Sequence, residues 1–336
     1  MKRYLEMVLS GENLTIAEMK QAAQLIFNAE TPQAAVGGFL TALRAKGESA
    51  SEMTGLAQVI REKAVTIPTP TSDVIDNCGT GGDHSQSFNI STTSAFVLAG
   101  AGLTVAKHGN RSITSKSGSA DVLEALGVEL SRTPEQTNDA LVKNKIAFLY
   151  APHVHPAMKQ VMSIRRDLAV PTIFNLIGPL TNPVELKTQL LGVFRRDLLM
   201  TMAEVLQQLG RERALVINGA GHFDEATLAG VNHCVLLENS KLRPFTIHPE
   251  EVGLPVVAND QLKGGDAKLN AEIMINVLKG NRGAHRDVVL LNAGLGIFAS
   301  GKASTIKEGI ELAKESIDSG AALNCLRGIT KSEVTR

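Results

Sequence analysis

Between Val74-Ile75, which read as the end of a buried strand, and Ser91-Thr92-Thr93-Ser94-Ala95-Phe96-Val97-Leu98-Ala99, which reads as a helix, the chain places Asp76-Asn77-Cys78-Gly79-Thr80-Gly81-Gly82-Asp83. A glycine-dense turn between strand and helix lets backbone amides approach a ligand with no Cβ in the way, and a hydroxyl-rich first helical turn presents free N–H groups to an anion. A second strand, Leu103-Thr104-Val105-Ala106, ends at Lys107 and opens onto the cationic run Lys107-His108-Gly109-Asn110-Arg111-Ser112-Ile113-Thr114-Ser115-Lys116-Ser117-Gly118. That run leads into another helix, with Ser119 as its N-cap and Gly127 as its C-terminal stop. Two strand ends thus deliver two anion-binding loops to one edge of a parallel sheet, where open α/β folds hold their ligands. The arrangement predicts a cradle for a polyphosphate, and so a phosphorylated small molecule as ligand.

The turn matches neither common nucleotide loop. A dinucleotide fingerprint needs Gly-x-Gly-x-x-Gly with an acidic residue about 20 positions on, and a Walker loop ends in Gly-Lys-Ser/Thr. Gly79-Thr80-Gly81-Gly82-Asp83 does neither. Composition narrows the class further: Lys plus Arg number 34 and Asp plus Glu 34, so the formal charge is zero and the basic excess of a general nucleic-acid binder is missing. Cys78, Cys234 and Cys325 are scattered without metal-ligand or redox spacing, which predicts a reducing, cytoplasmic setting. Glu6 and Glu12 interrupt any apolar core behind Met1-Lys2-Arg3, and the mainly apolar run around Ala95 to Ala106 is too short to span a bilayer.

At 336 residues the chain exceeds what one core usually holds, so two domains, or one large α/β domain with an appended module, are expected. Up to about Val65 it reads as helices only. Thr15-Ile16-Ala17-Glu18 and Ser49-Ala50-Ser51-Glu52 are capping-box patterns, Thr31-Pro32 puts proline at a first helical position, and Gly47 can end the middle helix. The prolines of Thr66-Ile67-Pro68-Thr69-Pro70-Thr71-Ser72 predict an extended hinge over 66–72 between a helical domain, 1–65, and an α/β domain, 73–336. Ala34, Ala35, Gly37 and Gly38 give one helix a small-residue face, which suits an intrachain contact or a dimer face equally.

Beyond the cradle, short apolar runs alternate with helical patterns: Ile146-Ala147-Phe148-Leu149-Tyr150, Leu190-Leu191-Gly192-Val193-Phe194 and Ala214-Leu215-Val216-Ile217 read as strands, and Asp197 to Leu209 as a helix. His233 to Leu237 and Leu242 to Ile247 read as a hairpin added at a sheet edge. From Asn270 onward amphipathic helices are expected, with one more strand at Val288-Val289-Leu290-Leu291. The fold class predicted is α/β: a small helical domain plus a larger domain with a mostly parallel sheet.

These motifs, together with His155-Pro156-Ala157-Met158-Lys159, Thr172-Ile173-Phe174-Asn175-Leu176-Ile177-Gly178-Pro179-Leu180-Thr181-Asn182-Pro183 and Asp224-Glu225, make the chain resemble the anthranilate phosphoribosyltransferases over nearly its whole length. The resemblance implies condensation of anthranilate with phosphoribosyl pyrophosphate, releasing pyrophosphate in the tryptophan pathway, by a magnesium-dependent homodimer. It implies a fold shared with pyrimidine nucleoside phosphorylases and a dimer joined through the helical domain, to which part of 160–185 would belong.

By the same resemblance the substrates lie against Gly79, Gly82, Asp83, Ser87, Asn89, Ile90, Ser91, Thr92, Lys107, His108, Gly109, Asn110, Arg111, Ser112, Ile113, Thr114, Ser115, Ser119 and Arg165. Ser91, Asp224 and Glu225 would hold Mg2+, and His108, Asn110 and Arg165 would serve catalysis. On its own an acidic dipeptide is most often solvated surface, and Arg165 beside Arg166 could be one too. The chemistry nevertheless needs both kinds of group: pyrophosphate leaves with several negative charges to neutralise, and a planar guanidinium can grip a carboxylate in two places. His153-Val154-His155 admits a metal reading, which Pro152 and Pro156 argue against by predicting a turn that opens a helix. His84, Asp167, Ala169, Pro171 and Asn218 depart from residues common in the family. A pyrimidine nucleoside phosphorylase, with phosphate as nucleophile, and a nucleic-acid-binding relative without activity are the alternatives.

Overall fold

Four helices open the chain: α1 (Lys2–Leu9), α2 (Ile16–Ile26), α3 (Gln33–Lys46) and α4 (Ala50–Glu62). Thr15 and Ser49 cap α2 and α4 through reciprocal bonds with Glu18 and Glu52, as their spacing predicts, and Gly47 ends α3 at a φ of 93°. Pro32 sits one residue earlier than expected, at the N-cap of α3. The computed structural model describes residues 1–69, 73–112, 116–130 and 132–330. Pro70, Thr71 and Ser72 of the expected hinge therefore lie outside the described residues, and 66–69 carry no regular structure.

The remainder alternates strand and helix: β1 (Val74–Gly79), α5 (Ile90–Gly100), β2 (Thr104–Gly109), α6 (Ser119–Ala125), α7 (Pro134–Asn144), β3 (Ile146–Tyr150), α8 (Ala151–Val154), α9 (Lys159–Leu168), β4 (Thr188–Gly192), α10 (Leu199–Gln208), β5 (Arg213–Asn218), β6 (Asn232–Glu238) and β7 (Lys241–Ile247). The closing helices are α11 (Ala267–Leu278), α12 (Ala284–Ala299), α13 (Ile306–Asp318) and α14 (Ala321–Ile329). The seven strands form one sheet in the order β3-β2-β1-β4-β5-β6-β7, parallel from β3 to β5, with β6 and β7 antiparallel at the far edge. The expected edge hairpin is present. Its turn residues Asn239 and Ser240 have φ of 51° and 57°, the left-handed pair that a tight hairpin demands.

Several expectations shift. Val74 begins a strand rather than ending one, and β2 continues through His108 to Gly109, so both loops start later than the apolar pattern suggests. Hydrogen bonding to neighbouring strands carries these ladders past the last apolar residue. Gly118, not Ser119, is the N-cap of α6, because the Asp121 carboxylate reaches back to the Gly118 N–H. The fourth strand covers 188–192 rather than 190–194. Val288 to Leu291 form no strand; they lie in α12, whose buried residues run from Arg286 to Ala299. A helix buried on nearly every side has no polar face to betray its period.

Side-chain alternation along the central strands divides the interior into two. Leu190, Leu215, Ile217, Cys234 and Leu236 face one core with α5 and α11 to α14, whereas Leu191, Val193, Ala214, Val216, Val235 and Leu237 face the other. That second core includes α10, the N-terminal helices and part of 161–180. The helical bundle therefore packs directly on one face of the sheet.

Candidate active site

β2 and β3 continue the sheet on one side of β1, and β4 and β5 on the other, so the strand order reverses at β1 and β4. Such switch points open a crevice beyond the carboxyl ends of the strands. The predicted loops leave from this edge: 80–89 after β1, 110–118 after β2, and 219–231 after β5.

The Asp224-Glu225 pair meets both phosphate-type segments. The Gly81 N–H donates to Asp224 Oδ2 at 2.6 Å, and the Ser91 N–H, in the first turn of α5, donates to Glu225 Oε1 at 3.0 Å. Gly79 and Gly192, at the ends of adjacent strands, make this approach possible: a Cβ on Gly79 would overlap the Asp224 carboxylate, and one on Gly192 its backbone carbonyl. Asp83 joins the cluster. Its Oδ1 accepts from the Ser85 N–H and hydroxyl, while its Oδ2 is buried with no hydrogen-bond partner. Burial, and then the charge of Asp83, push the Asp224 carboxyl up to about 7, and Glu225 is raised by burial and by Asp224. Crowded, desolvated carboxylates are hard oxygen donors that a cation would relieve. Among the described residues no three His, Cys, Asp or Glu side chains converge as a metal cage.

The rest of the glycine loop is held from outside the cleft. Gly82 has a φ of 83° and packs beside the Phe194 ring. Asn89 donates to the Ser117 carbonyl at 3.2 Å and accepts from Asn270 at 2.9 Å, and Ser87 bridges to Lys263. Ile90 and Thr92, in the first turn of α5, are buried, and Ile90 belongs to the core.

At the end of β2, Lys107 and His108 are buried, and Gly109 and Asn110 emerge. Lys107 donates to the Asn77 carbonyl at 2.8 Å. The His108 and His155 rings meet edge to face, Nε2 to Nε2 at 3.2 Å. Burial holds His108 down at about 3 and His155 at about 4, so both rings are neutral near neutrality. The Asn110 carbonyl accepts from the Ser119 hydroxyl at 3.1 Å, and Asp121 takes the Ser112 N–H at 3.1 Å. Arg111 is committed to Asp121 and Glu124, each at 2.8 Å, and to the Tyr150 hydroxyl. Ile113, Thr114 and Ser115 lie outside the described residues.

Arg165 comes from α9. Its guanidinium carbon lies 5.5 Å from the centre of the Phe174 ring, it is half-buried, and it pairs with no carboxylate among the described residues. Burial lowers its pKa. Arg166, its neighbour, is exposed. His153 is exposed against Tyr150 whereas His155 is buried against His108, so these two histidines face different partners. No hydrogen bond joins Arg165 to Asn110 among the described residues. Asp76, Gln189 and Asn182, to which the sequence motifs assign no role, are fully buried polar side chains beneath the site; no local pattern marks their burial.

Residues 2–64 match a family model described as the helical bundle domain of a glycosyl transferase family, and residues 71–323 match its a/b domain. An anthranilate phosphoribosyltransferase of Exiguobacterium sibiricum is 57% identical over 327 residues, spanning 97% of this chain and 96% of that protein. The crystal structure of anthranilate phosphoribosyltransferase from Thermus thermophilus superposes with a TM-score of 0.91 at 40% identity, covering 96% of this chain and 97% of the other. The Saccharomyces cerevisiae enzyme in complex with PRPP and Mg gives a TM-score of 0.89 at 28% identity, over 97% and 96% of the two chains.

Proposed function

Because the chain belongs to the anthranilate phosphoribosyltransferases and carries that activity in tryptophan biosynthesis, we propose which of its residues perform each part of the reaction. The phosphorylase and nucleic-acid-binding alternatives fall away with that membership. The diphosphate of phosphoribosyl pyrophosphate is bound between the loop Gly79 to Asp83, with Ser87, and the start of α5, with Asn89 to Thr92. Lys107, Gly109, Arg111, Ser112 and Ser119 bound the other side. Magnesium itself is supported by the yeast relative solved with PRPP and Mg, and the crowded carboxylates make Asp224 and Glu225, with Ser91 beside them, the residues that would hold it. Bound there, the ion neutralises the charge that develops on departing pyrophosphate.

The acceptor lies between Asn110, His108 and Arg165. The guanidinium over Phe174, which meets no carboxylate among the described residues, is suited to the acceptor carboxylate, which it can hold bidentately. The aromatic amine attacks the anomeric carbon, the carbon–oxygen bond to pyrophosphate breaks with its electron pair going to the leaving group, and the amine then loses a proton. Positioning and charge neutralisation carry most of such a reaction. His108 is buried and its ring is bonded to His155 and to the Gly178 backbone, so it serves by holding this wall of the acceptor site in a neutral state rather than by moving a proton.

The observation that carries this assignment is the convergence of one acidic pair on both phosphate-type segments, Asp224 on Gly81 and Glu225 on Ser91. The test follows the loss of anthranilate fluorescence on mixing protein, anthranilate, phosphoribosyl pyrophosphate and magnesium. Wild-type protein should show metal-dependent loss that Asp224→Asn impairs; an unchanged magnesium titration in the variant refutes the role.

The division at 1–65, 66–72 and 73–336 is supported by the family boundaries at 64 and 71. A groove of about 610 Å³ beside Leu9, Ala34, Gly38 and Leu168 supports a homodimer through the helical bundle, to be checked by sedimentation. A cytoplasmic location is supported by three cysteines that form no disulfide, and no helix among the described residues is long and apolar enough to cross a membrane.

A further inference from the structure

β1 and β2 pair in register at Val74 with Thr104 and at Ile75 with Val105; from Asp76 onward side chains take over from the ladder. Asp76 is fully buried. Its Oδ1 accepts the His108 backbone N–H at 3.2 Å, and its Oδ2 accepts from Asn182 Nδ2 at 3.0 Å and from the Cys78 thiol at 3.3 Å. Asn182, also fully buried, passes a second N–H to the Ala106 carbonyl at 2.8 Å and accepts the Val184 N–H at 3.0 Å. One carboxylate therefore ties the strand end that carries Lys107 to Asn110 to the segment 178–184.

That segment is pinned a second time. Gln189 Nε2 donates to the Pro179 carbonyl at 2.6 Å, and Gln189 Oε1 accepts from Arg211 Nε at 3.1 Å. Between the pins, the Gly178 backbone bonds to the His108 ring, whose Nε2 meets His155. A buried carboxylate is costly, and burial does raise the Asp76 pKa against the opposing charge of Lys107. An apolar side chain could fill the same space. What it could not do is fix, by directional bonds, the distance between the 107–110 loop and the 178–182 segment.

We infer that Asp76, acting through Asn182 and the His108 backbone, is a positioning residue that holds His108 and Asn110 in place for the amine acceptor and leaves diphosphate binding largely alone. The inference rests on the acceptor placement proposed above. Asp76 touches His108 and the 178–184 segment; of the diphosphate groups proposed above it meets only the charge of Lys107, and Gly81, Ser91, Asp224 and Glu225 make no bond to it.

Two variants test it. Asp76→Asn keeps an oxygen for the His108 N–H but turns an amide donor towards the Asn182 donor. Asn182→Ser leaves the Asp76–His108 bond and its charge, and removes the Asn182 bonds to Asp76, Ala106 and Val184. Michaelis constants for anthranilate and for phosphoribosyl pyrophosphate are measured in both, with Arg165→Ala alongside and thermal midpoints as a check on folding. The anthranilate constant should rise about five- to tenfold, as loss of one buried hydrogen bond predicts, with the phosphoribosyl pyrophosphate constant within about twofold of wild type. Equal changes in both constants, or none in either, overturn the inference. If Asp76→Asn fails to fold, Asn182→Ser decides by the same split. An Arg165→Ala protein with an unaltered anthranilate constant would instead overturn the acceptor placement, and the inference with it.

Discussion

The Asp224 carboxylate accepts the backbone N–H of Gly81 at 2.6 Å, so the residue assigned to magnesium already touches the loop assigned to the diphosphate. A metal that draws on Asp224 must share it with the glycine loop, and metal and diphosphate should therefore bind interdependently. Asp224→Asn keeps the shape and an acceptor oxygen but removes the charge. Magnesium affinity, read in the presence of phosphoribosyl pyrophosphate, should fall by more than the roughly 10- to 100-fold typical of losing an outer-shell partner. A fall smaller than that would place the ion elsewhere.

Arg165→Ala should raise the Michaelis constant for anthranilate about 10- to 100-fold, as expected for a charge-assisted hydrogen bond, with little change for the other substrate. Arg165→Lys should recover only part of the loss, because a point charge cannot reproduce the planar fork. Full recovery by lysine would mean that charge alone acts there.

At Gly192 the backbone leaves no room for a side chain. Gly192→Ala would drive a Cβ into the Asp224 carbonyl, so the 219–225 loop must move or the strand must shift. The expected phenotype is a lower thermal midpoint together with loss of magnesium-dependent turnover. Retention of both would show that the loop can yield without disturbing its carboxylates.

Stability should depend on pH through the His108–His155 pair. Both pKa values lie below the ordinary 6.5, at about 3 and about 4, so the unfolded chain binds protons more readily than the folded one. Their contribution is fully present above about pH 6.5 and is lost as pH falls through about 4 towards 3. The raised Asp224, Glu225 and Asp76 carboxyls act in the opposite sense, so the check is a difference: from about pH 7 down to about pH 4 the thermal midpoint of His155→Gln should fall less, or rise more, than that of wild type. A slope identical in the variant would remove His155 as a contributor.

The sequence by itself determined much of this protein. The capping boxes at Thr15 and Ser49 close their bonds within four residues, so local chemistry alone places those helix starts. The strand, glycine turn and hydroxyl-rich helix from Val74 to Ala99 follow from periodicity and from glycine's freedom, and the Asn239-Ser240 hairpin from two apolar runs that a tight turn can join. The two-part architecture was equally legible, and the motif resemblance named the reaction.

The tertiary structure decided what depends on residues far apart in the chain. Val288 to Leu291 could be read as strand or helix, and only burial of α12 on nearly every side chose helix. Gly81 and Asp224 stand 143 positions apart, and Asp76 and Asn182 stand 106 apart. No local pattern encodes such distances. Asp76 in particular reads as one more polar residue at the edge of a glycine turn; its burial and its three partners arise only when β1, β2 and the 178–184 segment are brought together. Local propensity sets where elements begin and end, whereas the cost of leaving a buried polar group unpaired is settled by whichever distant group the fold supplies.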